Sequence, residues 1–368
     1  MEDGEMKEIH VSEEEQEDAF RLGNIYVGKV KKIVSNIQAA FIEIAPGVEC
    51  YYAMNEKGNR NLKAGEELVV QICKEAIKTK QPSVTSKINL TGKYVVLTAN
   101  DTRIGVSSKI EKEKRNQLQA LIEKYRSDEY GFIVRTNAKD CPDDKIIKEA
   151  DRLKKEYEDI IKKSSTRVCF SCLKEAVKPY IADLRNLYED GLTDIIVEDH
   201  DIYDQMKRFL MEEQPEDMEK LQLYEDKLLP LHKLYSIEKV LKDAMQKKVW
   251  MKSGAYLVIE PTEALTVIDV NTGKCTGKKK DEPAYFKINL EAAKEAAKQI
   301  RLRNLSGIIL IDFINLEDPE KMEELLLALK GYLRQDPIPS SFVDVTKLQL
   351  VEVTRKKVRR PLHESLRS

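Results

Sequence analysis

The sequence predicts an α+β protein of several domains, and three observations predict it. From about residue 22 to 90 the chain is a succession of short β-type runs broken by Gly, Pro and Asn. A long segment of helical period follows in the middle. The last third carries a strand, helix, strand order in which both strands reach an aspartate, Asp269 in LTVIDVNTG and Asp312 in GIILIDFIN. At 368 residues the chain is long enough for about two or three cores of ordinary size.

In the first part GNIYVGKVKKIV, IQAAFIEIAPGVECYYAM and GEELVVQICKEAI read as strands. About five such strands suit a small barrel such as an OB-fold, which binds single strands on one face. Tyr26, Phe41 and Tyr51 can stack bases, and Lys29, Lys31, Lys32 and Lys80 can follow phosphates. The same residues also suit an aromatic core with a solvated lysine edge, so two readings stand.

Between about 91 and 180, GKYVVLTA and YGFIVRTNA read as strands. PDDKIIKEADRLKKEYEDIIKKS reads as a helix with Pro142 in its first turn. Its apolar residues Ile146, Ile147, Ala150, Leu153, Tyr157, Ile160 and Ile161 fall on one face. From about 181 to 245 short strand-like pieces alternate with charged helices, SIEKVLKDAMQKKVW among them.

The last unit, from about 246, holds the two acidic strands. On a strand Val267, Asp269 and Asn271 share a face. Gly307 to Ile314 is almost wholly apolar, which predicts a strand covered on both faces. The helical KINLEAAKEAAKQIRLRN between them predicts a crossover that sets the two strands side by side and parallel. Both carboxylates then lie near the carboxyl ends of neighbouring strands, where open α/β sheets bind ligands. Two close carboxylates repel unless a cation or a shared proton neutralises them. Hard oxygen donors of this kind suit Mg²⁺, with water and substrate phosphate completing its shell. The chemistry that follows is metal-assisted attack on a phosphate ester; an Asp at a strand end also serves as a helix cap or turn partner, and that alternative stays open.

Two basic stretches accompany the acidic pair. GKCTGKKK lacks the glycine spacing and the Lys-Ser/Thr pair of a P-loop; its Lys278, Lys279 and Lys280 can approach a polyanion or form a solvated turn. In TRKKVRRPL the residues Arg355, Lys356, Lys357, Arg359 and Arg360 can hold a phosphate backbone, although charge runs of this kind are also often simply solvated.

Composition excludes other classes. The formal net charge is −2 with 34% charged residues, so any nucleic-acid surface must be a local patch. No apolar run approaches a membrane span, and the acidic start MEDGEMKEIHVSEEEQED is unlike a signal peptide, which predicts a cytoplasmic protein without a membrane partner. Of the six cysteines only Cys169 and Cys172 form a CxxC, with no nearby His, so reduced thiols rather than a zinc site are expected. The four histidines are scattered and form no triad.

Taken together, GNIYVGKV, AAFIEI, YGFIVRT, IEPTEALTVIDVNTG, NLEAAKEAAKQIRLRNLSGIILIDFIN and LVEVTRKK, in this order, resemble the bacterial RNase E/G endoribonucleases over roughly residues 20 to 363. The resemblance implies an N-terminal part of a split RNase H-like subdomain at 1–20 and an S1-like OB-fold barrel at 21–90. It further implies a 5′-sensor region at 91–180, the remaining RNase H-like part at 181–245 and a DNase I-like catalytic subdomain at 246–368. Asp269 and Asp312 match the pair that holds one Mg²⁺, and Asn271 matches the group supporting it. The implied chemistry is attack of a water activated by the metal, leaving a 5′-phosphate and a 3′-hydroxyl on single-stranded RNA. Arg135 and Thr136 match the grip on a 5′-monophosphate, a sound pairing because Arg offers a bidentate, charge-assisted contact. Gly92 and Val96 match contacts to the terminal nucleotide. RNA is expected to touch Phe41, Tyr51, Lys80, Lys278, Arg355, Lys356, Lys357 and Arg359.

The expected role is RNA processing, ribosomal RNA included, and mRNA decay. The rival is a catalytically weak RNA-binding protein of the same family; a metal-dependent DNase or phosphoesterase is a third class, since two Asp residues do not choose the sugar. Two departures from the family pattern are visible. RQDPIP, with Pro337 and Pro339, replaces a more basic stretch. The chain reaches HESLRS without a CPxCxG zinc link, so zinc-linked dimerisation is not supported and a monomer or another homo-oligomer is expected.

Overall fold

A computed structural model describes residues 1–11, 20–55, 62–74, 81–187, 192–273 and 282–366. The chain forms two compact units, Glu14–Leu223 and the pair of segments Met1–Glu13 and Tyr224–Ser368.

The first unit opens with β1 (Ile25–Val34), β2 (Ala39–Ala45), β3 (Val48–Ala53), β4 (Glu67–Lys74) and β5 (Ser83–Thr85). They run in the order β1-β2-β3-β5-β4, and β4 pairs back onto β1, so the barrel predicted from residues 22–90 closes. Alternation places Tyr26, Ile42, Ile44, Tyr52, Val70 and Ile72 in its core. Tyr26, one of the three aromatics offered for stacking, is thereby corrected to a core residue, with its hydroxyl accepting from Asn24.

Next come β6 (Asn89–Thr91), β7 (Val95–Ala99), β8 (Ile104–Val106), α1 (Lys112–Glu123), β9 (Tyr130–Val134) and α2 (Asp143–Ser164). The strands form a sheet in the order β6-β7-β9-β8. α2 buries Ile146, Ala150, Leu153, Tyr157 and Ile160. Ile161 stays 38% exposed and Ile147 half-buried, so the apolar stripe is narrower than the sequence predicts. Pro142 caps the helix from outside, and Asp143 and Asp144 occupy the first turn, where the helix dipole favours negative charge. The unit continues through β10 (Cys172–Lys174), α3 (Pro179–Asn186), β11 (Ile195–Val197), α4 (His200–Glu213) and β12 (Leu221–Leu223).

In the second unit α5 (Leu231–Leu234) and α6 (Ile237–Ala244) precede β13 (Lys248–Trp250), β14 (Tyr256–Pro261) and β15 (Leu265–Asn271). Then follow α7 (Glu282–Leu302), β16 (Gly307–Asp312), α8 (Pro319–Arg334), β17 (Ser340–Val345), β18 (Val351–Arg355) and α9 (Leu362–Ser365). SIEKVLKDAMQKKVW is therefore not one helix. It stops at Ala244, and Lys248–Trp250 pairs with β14, because β-favouring Val249 and Trp250 have a strand edge to join.

The second sheet runs β13-β14-β15-β16-β18-β17, and β15 and β16 are parallel across α7, as the strand, helix, strand order predicts. Small residues Ala292, Ala293 and Ala296 let α7 lie close over Leu257, Ile268, Ile309 and Ile311, with Leu325, Leu329 and Leu333 of α8 beside it. β16 departs from expectation. Ile309 and Ile311 are buried, whereas Ile308 is 55% exposed, so the strand is covered on one face. The open face is the one that carries the acidic pair.

Candidate active site

Strand alternation turns Thr266, Ile268 and Val270 into the core and leaves Val267, Asp269 and Asn271 on the open face. The parallel register then sets Asp269 directly opposite Asp312. Asn271 Nδ2 donates to Asp269 Oδ2 at 2.7 Å, holding that carboxylate in place. Burial on the sheet, and secondly the negative charge of Asp269, push the Asp312 carboxyl above its ordinary range.

Asn289 was not singled out by sequence reasoning, yet it fixes the same end of β16. It is fully buried on α7, its Nδ2 donates to the Ile314 carbonyl at 2.7 Å, and its Oδ1 accepts from the Ile314 amide at 3.0 Å. The available signal was an amide at helical spacing among Ile288, Ala292 and Ala296. Two side-chain carboxylates with an amide beside them form an all-oxygen donor set of the kind Mg²⁺ accepts, leaving room for water and phosphate. A cation there would relieve the repulsion felt by Asp312, so the residues fit the metal. Among the described residues no cluster of three or more His, Cys, Asp or Glu side chains offers a fuller cage.

A second constellation forms in the first unit. Arg135 follows β9, and its backbone amide donates to Tyr94 O at 2.7 Å. Its guanidinium donates to the Gly92 carbonyl at 2.6 Å and to Asn186 Oδ1 at 2.7 Å. Thr136 shares a 2.8 Å hydroxyl hydrogen bond with Ser107. Val96 lies on β7 opposite Ile133, which is 42% exposed. The fold thus brings Gly92, Arg135 and Thr136 together, with Val96 on the neighbouring strand. Asn186, and Arg185 donating to the Thr91 carbonyl at 2.9 Å, are additions that no sequence signal marked. Glu149 of α2 anchors the loop: its carboxylate accepts from the amides of Lys93, Tyr94 and Val95 at 2.7–2.8 Å. A Cβ at Gly92 would come within 2.3 Å of that carboxyl carbon, so a larger residue there would push the Glu149 carboxylate off the amides it anchors.

On the barrel, Lys32, Phe41 and Tyr51 form one row across β1, β2 and β3. The two rings meet edge to face at 6.3 Å, partly open to solvent, while Lys31 pairs with Glu43 at 3.2 Å. Lys80 and Lys278 lie outside the described residues.

The tail requires a correction. Arg355 is 2% exposed; its Nε donates to Asp336 Oδ2 and its Nη1 to Asn304 Oδ1, both at 2.6 Å. It is a buried strut, not an RNA contact, because it ends β18 under Asp336 and Asn304. Lys356 and Lys357 are exposed, and Arg359 contacts His10. This patch leaves the sheet at the Gly307 end of β16, about 17 Å of strand from Asp312. Cys169 and Cys172 are free thiols, and burial pushes both above the usual thiol range. Among the described residues no helix is long and apolar enough to cross a membrane.

A closed five-strand barrel in the first unit and, in the second, a mixed sheet presenting two register-matched aspartates define the class, an α+β protein. The family model for the Ribonuclease E/G family matches residues 89–358. Ribonuclease G of Haemophilus influenzae is 32% identical over 100% of this chain and 78% of its own length. Ribonuclease G of Escherichia coli K12 is 30% identical over 99% of this chain and 78% of its own. Ribonuclease E of Synechocystis is 31% identical over 94% of this chain and 53% of its own. The chain belongs to the Ribonuclease E/G family.

Proposed function

We propose that this chain is an endoribonuclease of RNA processing that cuts single-stranded RNA with Mg²⁺ and leaves a 5′-phosphate and a 3′-hydroxyl. The observation that carries the proposal is the Asp269–Asp312 register pair with Asn271 bonded to Asp269. Asp269 and Asp312 would hold the ion. When bound, Mg²⁺ supplies charge neutralisation at the phosphate and a lowered pKa for a water. Asn271 keeps the Asp269 lone pairs directed, and Asn289 keeps the segment after Asp312 from drifting.

Preference for a 5′-monophosphate belongs to the same proposal. Arg135 and Thr136 offer a guanidinium and a hydroxyl, the donors that suit a terminal phosphate. The backbone amides of residues 93–95 already serve Glu149, so recognition falls to these side chains. In this proposal the barrel is an S1-like OB-fold, whose Phe41–Tyr51 row would carry bases. The regions implied by the resemblance, RNase H-like and DNase I-like, are proposed with it.

The test is cleavage of one single-stranded RNA, made with a 5′-monophosphate and with a 5′-triphosphate, in Mg²⁺ and in EDTA, beside Asp269→Asn. Internal cuts that need Mg²⁺, vanish in the variant and run faster on the monophosphate are expected. Tight binding with no wild-type cleavage would replace this reading with that of an RNA-binding protein.

A further inference from the structure

The open face of the second sheet carries more than the acidic pair. Antiparallel pairing sets Trp250 opposite Tyr256, and Tyr256 opposite Asn271. Directly paired residues project to one side, so these three form a row on the open face. The next row holds Lys248, Val258, Asp269 and Asp312. Trp250 is the chain's single tryptophan and is 57% exposed, an unusual place for so large an apolar surface. Its ring lies 5.0 Å from that of Tyr256, at 58°. The Lys248 ammonium sits 4.1 Å from the Trp250 ring centre and 3.5 Å from that of Tyr256.

This cluster is held rigidly. The turn between β13 and β14 docks onto α7, the amides of Lys252 and Ser253 donating to Glu291 Oε1 at 2.8 and 3.4 Å. At the end of β15, Gly273 has φ +60°, and a Cβ there would come within 2.4 Å of the Gly254 carbonyl. The hairpin and the strand bearing Asp269 are thus locked by close backbone approach. Partly exposed rings on an anchored hairpin, with an ammonium over them, are a stacking platform for a base whose phosphate carries negative charge.

We propose that Trp250 and Tyr256 form a ledge that receives a nucleobase of the RNA next to the phosphodiester facing Asp269 and Asp312, with Lys248 contacting an adjoining phosphate. The proposal rests on the nuclease reading above and adds to it a positioning site. Because every base has a π-face, the ledge fixes where the strand lies without choosing its sequence. It acts on affinity and on register, since neither ring touches the reacting atoms.

The single tryptophan reports the site directly. Wild-type protein is titrated with a ten-nucleotide single-stranded RNA in EDTA, following Trp250 emission, while anisotropy of a labelled copy follows binding. Emission should fall in step with binding. The matching oligomer built of abasic ribose phosphates should bind more weakly and leave emission unchanged. In Mg²⁺, Trp250→Ala should raise KM on the order of ten- to hundredfold with kcat within a few fold, and Trp250→Phe should restore most of the loss.

Binding with unaltered emission, or a wild-type KM in Trp250→Ala, would overturn the ledge while leaving the nuclease reading intact. If wild type binds RNA with quenching but never cuts, the nuclease reading fails and the ledge stands. If it binds no RNA, both fail. Should Trp250→Ala not fold, emission and Trp250→Phe decide.

Discussion

Asn289 and Ile314 are joined by two reciprocal hydrogen bonds, side-chain amide to backbone, just beyond the strand end that carries Asp312. The buried helix α7 thereby sets the position of a carboxylate that it does not touch through packing alone. Asn289→Leu keeps the volume but strands the Ile314 amide and carbonyl. A loss of about 1–3 kcal/mol of stability is expected, with a fall in kcat larger than any change in KM. Thermal melts beside steady-state cleavage check this; an unchanged kcat would make Asn289 a core residue only.

Asp269→Asn and Asp312→Asn should each reduce cleavage to background while RNA affinity, read by anisotropy, changes little. Both side chains lie on the open face, so neither change removes core packing. A variant that unfolds instead would make the pair structural.

The Asp312 carboxyl is raised first by burial and then by Asp269, and this has a pH consequence. Its folded-state pKa lies above the unfolded value, so the ionised form is disfavoured in the fold. That penalty acts above the folded pKa and is relieved as pH falls through it. Since Asp312 is also solvent-exposed, screening keeps the effect modest. Carboxyl NMR of metal-free protein should give a midpoint above that of an ordinary aspartate. In Asp269→Asn it should drop only part of the way, because burial is the larger cause. At neutral pH Asp312→Asn should melt slightly higher than metal-free wild type.

Arg135→Ala should remove any preference for monophosphate over triphosphate ends, a loss of roughly ten- to hundredfold for charge-assisted hydrogen bonds. Competition assays with the two RNAs measure it, and an unaltered preference would return Arg135 to the role of bracing Gly92 and Asn186.

The basic tail separates into two kinds of residue. Arg355→Ala leaves Asp336 and Asn304 buried without their cation and should destabilise by about 3–5 kcal/mol. Lys356→Ala and Lys357→Ala should leave the melt in place and reduce the salt slope of RNA binding by about 0.7 each. Equal slopes in wild type and variants would make those lysines bystanders.

What the sequence determined by itself was what local pattern can carry. β-type runs with period two marked the barrel, and an apolar-periodic helix between two apolar strands required a parallel crossover. That crossover predicted Asp269 and Asp312 near the carboxyl ends of neighbouring strands; the register that sets them directly opposite each other came from the tertiary structure. Tertiary structure decided whatever depends on which face meets which neighbour. Ile308 reads like Ile309 in sequence, yet only one of them is covered, because α7 and α8 lie on a single side of the sheet. Arg355 reads like Lys356, yet pairing with β16 and β17 turns its guanidinium toward Asp336, while the lysine that follows is left in water. Glu149 and Asn289 reach partners 55 and 25 residues away, and no local period encodes such a bond. A pattern along the chain states which residues can share a face; packing, which pairs residues remote in sequence, settles whether that face is core, strut or site.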